Sequence, residues 1–330
     1  MILVTGGAGY IGSHFLKKFT ETHPDEPVVT VDNLSEGMAE AVVFSRQIHF
    51  VQADIGDRAA MLAIFHQYPI HTVVHFAASC YVGESQQNPT KYFENNCVNS
   101  LRLFEAMETC GVRQLVFSST CATYGNPVSL PIDEAHPQKP MNVYGATKLM
   151  VEQALAGYAL ARKWSYVNLR YFNAAGADES GLLGECHNPE THLIPLILQA
   201  MLRRRPVIEI LGNDYETPDG TCIRDFVHVN DLALAHLAAI DYLNEQPAGK
   251  GTAFNLGTRQ GASVLEVIAL CKAVTGLDAP VTISPRREGD PARLVANPAA
   301  AEAELGWRPR YTLKKIIETA WQWEQKRMLL

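Results

Sequence analysis

The chain has 330 residues, of which 47% are hydrophobic and 19% charged, and its formal net charge is −7. This acidic balance argues against nucleic acid as the main partner, and no apolar run approaches the roughly 20 residues that a membrane-spanning helix needs. Seven cysteines without a C-x-x-C spacing predict free thiols in a reducing compartment, and therefore a cytoplasmic protein.

The first half of the chain alternates short β-branched runs with helical patterns. Strands are predicted at 2–5, 28–31, 49–51, 72–75, 115–118 and 166–169, with helices between them that include 96–110 and 143–162. This alternation is typical of βαβ units. The sequence therefore predicts an α/β fold with a doubly wound parallel sheet of the Rossmann type.

The second half is richer in loops, with predicted helices at 193–204, 231–243, 264–275 and 313–325. We expect it to form a smaller α+β lobe beside the first, with a cleft between the two. The boundary is expected at residues 173 and 174, which divides the chain into 1–173 and 174–330, with some later segments returning to the first lobe.

A glycine-rich motif joins the first predicted strand to the helix that follows. Gly6, Gly9 and Gly12 have the G-x-x-G-x-x-G spacing of a dinucleotide-binding turn, in which the backbone approaches the pyrophosphate closely. Asp32 ends the second predicted strand, twenty residues after Gly12, where a carboxylate binds the adenosine ribose and favours NAD over NADP. Asp54 either contacts the adenine or caps a helix.

A second motif, Tyr144-Gly-Ala-Thr-Lys148, places a phenol and an ammonium four residues apart on a predicted helix, and so on one face. A cation at ~4 Å contributes roughly 4 kcal/mol at an effective dielectric constant of ~20. We therefore expect Lys148, together with a positive nicotinamide, to lower the Tyr144 pKa toward neutrality against the effect of burial. Thr120, at the end of a central strand, supplies a hydroxyl for the substrate oxygen, and Tyr124 is expected to line the same pocket.

Further motifs occur in a consistent order along residues 1–325. They are Val82-Gly-Glu-Ser85, Lys148-Leu-Met-Val-Glu152, Arg170-Tyr-Phe-Asn173, Gly212-Asn-Asp-Tyr215, Arg224-Asp-Phe-Val-His-Val229 and Pro285-Arg-Arg-Glu-Gly-Asp290. With the two motifs above, they resemble those of the UDP-glucose 4-epimerases, a family of the extended short-chain dehydrogenases/reductases.

The resemblance implies that residues 1–173 bind NAD and that 174–330 bind a nucleotide sugar. The implied catalytic residues are Tyr144, Lys148 and Thr120. The implied NAD-binding residues are Gly6, Gly9, Tyr10, Ile11, Gly12, Asp32, Asn33, Asp54, Ile55, Phe76, Ala77, Ala78, Asn95, Ser118, Tyr144, Lys148 and Tyr171. The implied substrate-binding residues are Thr120, Tyr144, Asn173, His192, Leu193, Arg224, Arg287, Asp290 and Leu294.

The implied substrates are UDP-galactose and UDP-glucose, which exchange through a 4-keto sugar while NAD stays bound. The family also implies a homodimer, in which helices 96–110 and 143–162 pair with their copies. No metal is expected.

Four residues depart from the family pattern. Cys80 stands where the family has a lysine near the cofactor, and Thr120 replaces a serine but keeps its hydroxyl. Phe226 replaces a tyrosine, which suggests one hydrogen bond fewer to the nucleotide. Leu294 occupies a position beside the sugar that is often tyrosine.

Other functions remain open at this point. A UDP-N-acetylglucosamine 4-epimerase, a uronate epimerase or a nucleotide-sugar decarboxylase would use the same Tyr144 and Lys148. A non-catalytic NAD-sensing regulator could share the fold, but it would not need this residue pair. Dehydratases of related sequence need an acid and a base after the hydroxyl residue, where this chain has Cys121 and Ala122.

Overall fold

The computed structural model describes residues 1–287 and 289–327; Glu288 of the 285–290 motif and the last three residues lie outside the described part. All six strands predicted in the first half are present. The strands of the described residues are β1 Ile2–Thr5, β2 Val28–Asp32, β3 Ile48–Gln52, β4 Thr72–His75, β5 Gln114–Thr120, β6 Ser165–Tyr171, β7 Asn173–Ala175, β8 Ile208–Leu211, β9 Ile223–His228, β10 Gly251–Leu256, β11 Gly261–Ser263, β12 Val281–Ser284 and β13 Arg293–Leu294.

The predicted helices are also present, with shifted ends. The α-helices are α1 Tyr10–Thr22, α2 Arg58–Gln67, α3 Val82–Gln87, α4 Pro89–Tyr92, α5 Asn99–Thr109, α6 Val143–Arg162, α7 Leu193–Met201, α8 Val229–Glu245, α9 Val264–Thr275, α10 Ala299–Glu304 and α11 Leu313–Lys326. The turn Phe93–Val98 is wound as a π-helix, so the helix predicted at 96–110 becomes α-helical only from Asn99. Helix α7 ends before residue 204, because Arg203 has a positive φ of 60°.

Seven parallel strands form the central sheet, in the order β10-β6-β5-β4-β1-β2-β3. Six of them follow the 3-2-1-4-5-6 order of dinucleotide-binding folds, which confirms the predicted fold class. The seventh, β10, comes from the second half of the chain and pairs with β6. The strand order reverses between β1 and β4, and ligands bind at the carboxyl ends of strands beside such a reversal.

Both faces of the sheet are buried. Ile2 and Val4 of β1 pack on one face with α1 and α8, and Leu3 packs on the other face with α2, α5 and α6. Apolar residues at consecutive positions are expected for strands that are covered on both sides. The helices packed on both faces hold the carboxyl ends of the strands in fixed positions.

The remaining strands form two smaller sheets next to the carboxyl ends. Strand β9 pairs with β7, β11 and β13, and β8 pairs with β12. Helices α7, α9 and α11 pack together in a third core. All seven cysteines are free thiols, as predicted. Within the described ranges, each helix is too short or too polar to cross a membrane.

Candidate active site

A cavity of about 1280 Å³ opens where the carboxyl ends of the central strands meet the smaller sheets. It is large enough for a dinucleotide together with a nucleotide sugar. The structure brings to its lining all the residues that the family resemblance assigned to NAD, substrate and catalysis: Gly6, Gly9, Tyr10, Ile11, Gly12, Asp32, Asn33, Asp54, Ile55, Phe76, Ala77, Ala78, Asn95, Ser118, Thr120, Tyr144, Lys148, Tyr171, Asn173, His192, Leu193, Arg224, Arg287, Asp290 and Leu294.

The glycine-rich turn is shaped by contacts that exclude side chains. Gly6 has a positive φ of 73°, and a Cβ there would lie 2.5 Å from the amide nitrogen of Ala77. A Cβ on Gly12 would lie 2.2 Å from the carbonyl oxygen of Gly6. Helix α1 begins directly after Gly9, so its free N–H groups face the cavity, where they can receive a phosphate.

Two carboxylates line the cavity beyond this turn. The Asp32 oxygens accept hydrogen bonds from the amides of Ala8 at 3.0 Å and Leu34 at 2.9 Å. Burial raises the Asp32 pKa, against these two hydrogen bonds. Asp54 accepts a hydrogen bond from the side-chain amide of Asn33 at 2.9 Å. The residue that caps α2 is Asp57. Asp54 is therefore not the cap of this helix.

The second motif lies at the centre of the cavity. Asn142 caps α6 through the amide of Gly145 at 2.8 Å, which places Tyr144 and Lys148 in the first turns, both buried. The Lys148 ammonium donates to the carbonyl oxygen of Ser118 on β5 at 2.8 Å. The Ser118 hydroxyl in turn lies 2.7 Å from the hydroxyl of Tyr171.

In the chain alone, without nicotinamide, the pKa of Tyr144 is raised and not lowered. Burial raises it well above its ordinary value, and the nearby Tyr171 and Cys80 add to the rise, while the Thr120 side chain opposes it. Burial also lowers the Lys148 pKa to about 8. Without nicotinamide, the Lys148 ammonium does not overcome burial, because it is directed at the Ser118 carbonyl in a poorly solvated place. The joint effect of Lys148 and a positive nicotinamide stays a prediction.

Basic and acidic side chains from the smaller sheets line the other end of the cavity. Arg224 of β9 lies 3.4 Å from the Asp290 carboxylate, and the exposed Arg287 lies on the rim. Leu294 of β13 pairs with Arg224 and is buried. Two arginines at one end of a cavity form a suitable site for a diphosphate.

Two residues of this region do not line the cavity. Phe226 is buried in the third core with Ile194 and Ile197, and it is not among the described residues that line the cavity. The loss of one hydrogen bond to the nucleotide at this position stays a prediction. Tyr124 is also away from the cavity lining of the described chain; its hydroxyl donates to Asn255 at 2.7 Å and accepts from Arg170 at 3.0 Å.

Sequence reasoning missed part of the cavity wall. Glu185, His187 and Glu190 lie beside His192 in what we call the His–Glu cluster, with one ligand-type atom from each residue within 4.8 Å of the others. Burial opposes charging of the imidazoles, but the two carboxylates outweigh it and raise the pKa of His187 to about 9 and that of His192 to about 10. The available signal was the E-x-H-x-x-E-x-H spacing at 185–192, in which only His192 was assigned a role from the sequence.

Comparisons with known proteins agree with this geometry. Residues 2–257 match the model of the NAD dependent epimerase/dehydratase family. The chain is 47% identical to a UDP-glucose 4-epimerase of Halalkalibacterium halodurans, over 98% of this chain and 96% of the relative.

Solved structures give the same result. The chain resembles UDP-glucose 4-epimerase from Brucella ovis in complex with NAD, with a TM-score of 0.92, 48% identity and 97% of both chains covered. It also resembles the enzyme from Bifidobacterium longum in complex with NAD⁺ and UDP, with a TM-score of 0.94, 36% identity, and 99% of this chain and 98% of that one covered.

Proposed function

This chain belongs to the NAD dependent epimerase/dehydratase family, and we propose that it interconverts UDP-galactose and UDP-glucose by inverting carbon 4 of the sugar. One observation carries the proposal. Tyr144, Lys148 and Thr120 lie in a single cavity that has a dinucleotide-binding turn and also contains Arg224 and Arg287. A hydroxyl group on a nucleotide sugar can therefore reach the phenol and the cofactor together.

The cofactor is NAD, and the residues of the first lobe fit it. The close approach at Gly6 and Gly12 leaves backbone amides free for the pyrophosphate. The Asp32 oxygens each accept one backbone hydrogen bond and keep a lone pair for the adenosine ribose. Bound NAD supplies the carbon that accepts a hydride from the sugar and returns it.

The side chains of the protein must remove and return the proton of the 4-hydroxyl group. Tyr144 removes it when the sugar is oxidised to the 4-ketone and returns it when the sugar is reduced, so no net oxidation results. Thr120 holds the same oxygen by a hydrogen bond. Lys148, held by the Ser118 carbonyl at 2.8 Å, orients the phenol of Tyr144 and favours its phenolate form.

Inversion requires the nucleotide to be held while the sugar turns. We assign the diphosphate to the guanidinium groups of Arg224 and Arg287, because planar donors bind phosphate oxygens in pairs. The uridine and the remaining phosphate contacts are assigned to Asn173, His192, Leu193 and Asp290, which line the same cavity. The assignment of 1–173 to NAD and 174–330 to the nucleotide sugar belongs to this proposal.

Burial of Cys121 argues against a dehydratase. Burial raises the pKa of this thiol to about 12, and its neighbour Ala122 carries no acid or base. Dehydration needs a proton donor and acceptor at these two positions, so epimerisation is the reaction that the cavity supports.

We also propose that the protein is a cytoplasmic homodimer. Leu101 of α5 and Met150 and Leu160 of α6 are exposed apolar residues, on the two helices that the sequence analysis assigned to a dimer interface. Light scattering should give twice the mass of one chain. A monomer at micromolar concentration would contradict the dimer without affecting the epimerase proposal.

The function is tested by incubating purified protein with UDP-galactose and no added NAD. We expect UDP-glucose to form, because the protein should retain its NAD. If the reduced cofactor were lost, the 4-keto sugar could not be reduced again. Denatured protein should release NAD into the supernatant. UDP-N-acetylgalactosamine and UDP-glucuronate, assayed in parallel, test the remaining alternatives. Absence of UDP-glucose formation even with NAD supplied would reject the proposal.

A further inference from the structure

The His–Glu cluster belongs to the segment between β7 and α7, in the wall of the cavity. Glu185, His187, Glu190 and His192 come from eight consecutive residues, yet their ligand-type atoms converge. The proposed epimerisation does not use three of these residues. Their convergence therefore needs a separate explanation.

Most of the nitrogen–oxygen separations in the cluster are close to those of ligands around one cation. The Glu185 Oε1 atom lies 3.2 Å from Nδ1 of His187 and 2.6 Å from Nδ1 of His192. The Glu190 Oε1 atom lies 3.7 Å and 3.3 Å from the same two nitrogens. Two ligands at about 2.1 Å from a tetrahedral Zn²⁺ lie roughly 3.4 Å apart, and three of the four separations are close to this value.

Three of these four atoms have no hydrogen-bond partner of suitable geometry. Glu185 is 4% exposed, and its Oε1 atom is buried without a hydrogen-bond partner, as are Nδ1 of His187 and Nδ1 of His192. The nitrogen and oxygen atoms are near each other, but their N–H directions miss the oxygens. Buried polar atoms are seldom left in this state, and a bound cation that displaces the imidazole protons would satisfy them.

We propose that Glu185, His187, Glu190 and His192 together bind one divalent transition-metal cation, for which Zn²⁺ is the best match. Two imidazole nitrogens and two carboxylate oxygens suit Zn²⁺, which accepts four mixed ligands. Mg²⁺ and Ca²⁺ prefer six or more oxygen ligands. Two carboxylates also balance the charge of a divalent ion in this buried place.

The surroundings hold the ligands in position. The Glu190 Oε1 atom accepts hydrogen bonds from the amides of Thr191 and His192 at 2.8 and 2.9 Å. The rings of Tyr10 and Tyr81 pack edge-on against His187, at centroid distances of 6.2 and 5.5 Å. Such outer contacts orient metal ligands and strengthen binding.

The ion would tie together the segment that precedes α7. Coordination through Nδ1 leaves the proton of His192 on Nε2, so the ring keeps one hydrogen-bond donor. That donor would be available to a UDP diphosphate, a consequence that rests on the proposed function. The metal site itself does not depend on it.

The test uses full-length protein without a polyhistidine tag, with its NAD as isolated. Protein is treated with a chelator, loaded with Zn²⁺, passed through a desalting column and analysed for zinc. We expect one zinc per chain in the wild type. His187→Gln and Glu190→Gln should weaken Zn²⁺ binding at least about tenfold, whereas His66→Gln, an exposed histidine of α2, should retain the full stoichiometry.

Co²⁺ provides a readout that does not depend on the variants. In wild-type protein it should give the intense visible bands of a four-coordinate site, and Zn²⁺ should displace it. Absence of tight zinc in the wild type, or equal binding by wild type and His187→Gln as for an adventitious ion only, would overturn the proposal. This test does not measure epimerase activity. A failure of the metal-site proposal can therefore be distinguished from a failure of the proposed function.

Discussion

The Lys148 nitrogen lies 6.0 Å from the centre of the Tyr144 ring, one helical turn away on the same face of α6. A nearby cation favours the phenolate form of Tyr144. Burial outweighs this contribution within the chain and raises the Tyr144 pKa. We infer that the phenol becomes a base only when the positive nicotinamide adds its charge.

The first prediction concerns the phenol. Tyr144→Phe should lower kcat by about 10²–10⁴-fold, because it removes the general base, while the bound NAD and the unfolding midpoint stay close to wild type. NAD content and thermal unfolding are measured on the same preparations. A near wild-type rate would remove Tyr144 from the reaction.

The second prediction separates two neighbouring arginines. Arg287→Ala should weaken UDP binding by roughly 1.5–3 kcal/mol, the contribution of a charge-assisted hydrogen bond. Arg286→Ala is the matched control, since Arg286 pairs with Asp214 at 2.7 Å and lies over the Tyr215 ring. Calorimetry with UDP compares the three proteins. Equal affinities would show that Arg287 does not contact the diphosphate.

The third prediction concerns substrate breadth at Leu294. This residue packs with Cys121 and Phe172 and also lines the cavity, and its size should admit some UDP-N-acetylglucosamine while UDP-glucose remains preferred. Leu294→Tyr should depress the N-acetyl reaction selectively, by about 1–3 kcal/mol in kcat/KM. Leu294→Met, which conserves volume, should leave the preference unchanged.

The measurement at Leu294 is the ratio of kcat/KM for the two substrates. This ratio does not depend on the fraction of folded protein, so loss of stability in the crowded tyrosine variant does not affect it. The same ratio in all three proteins would mean that Leu294 serves only the core.

The fourth prediction concerns acid stability. His236 is fully buried in α8, and burial lowers its pKa from 6.5 to about 4. Below pH 6.5 the unfolded chain takes up a proton that the folded chain refuses, so the stability due to neutral His236 is present above pH 6.5 and is lost as the pH falls toward 4. Relative to His236→Leu, wild-type protein should lose roughly a factor of ten in its folding equilibrium per pH unit in this window.

Urea unfolding at several pH values between 4.5 and 7 checks this prediction. The two stability curves should converge or cross as the pH falls. Parallel curves would show that His236 takes up its proton equally in both states.

Strands β1, β2 and β4 could be predicted because they are runs of mainly β-branched residues buried on both faces. Strands β3, β5 and β6 mix apolar with polar residues, and their alternation with helical patterns indicated them. Strand β10 could not, since Gly251–Leu256 mixes glycine, alanine and asparagine with two large apolar residues. Its place at the edge of the sheet comes from its pairing with β6. The π-helical turn at Phe93–Val98 was not predicted either, because a single turn is shorter than the window over which an apolar period can be recognised.

The candidate site, like the fold, could be predicted only in part. Tyr144, Lys148 and Gly6 belong to motifs whose spacing follows directly from local backbone geometry. Tyr124 was misplaced, because its side chain points into a core that only the tertiary packing defines. The His–Glu cluster was missed because the spacing of its residues carries no helical or strand period, although its four ligands are close in sequence.

The most direct test of the central claim follows the hydrogen at carbon 4. UDP-glucose carrying deuterium at this carbon is incubated with purified protein in ordinary water, without added NAD, and the UDP-galactose formed is examined by NMR. The account predicts full retention of deuterium at carbon 4, because hydride leaves and returns within one closed cavity. Loss of the label to solvent, or no UDP-galactose at all, would contradict it.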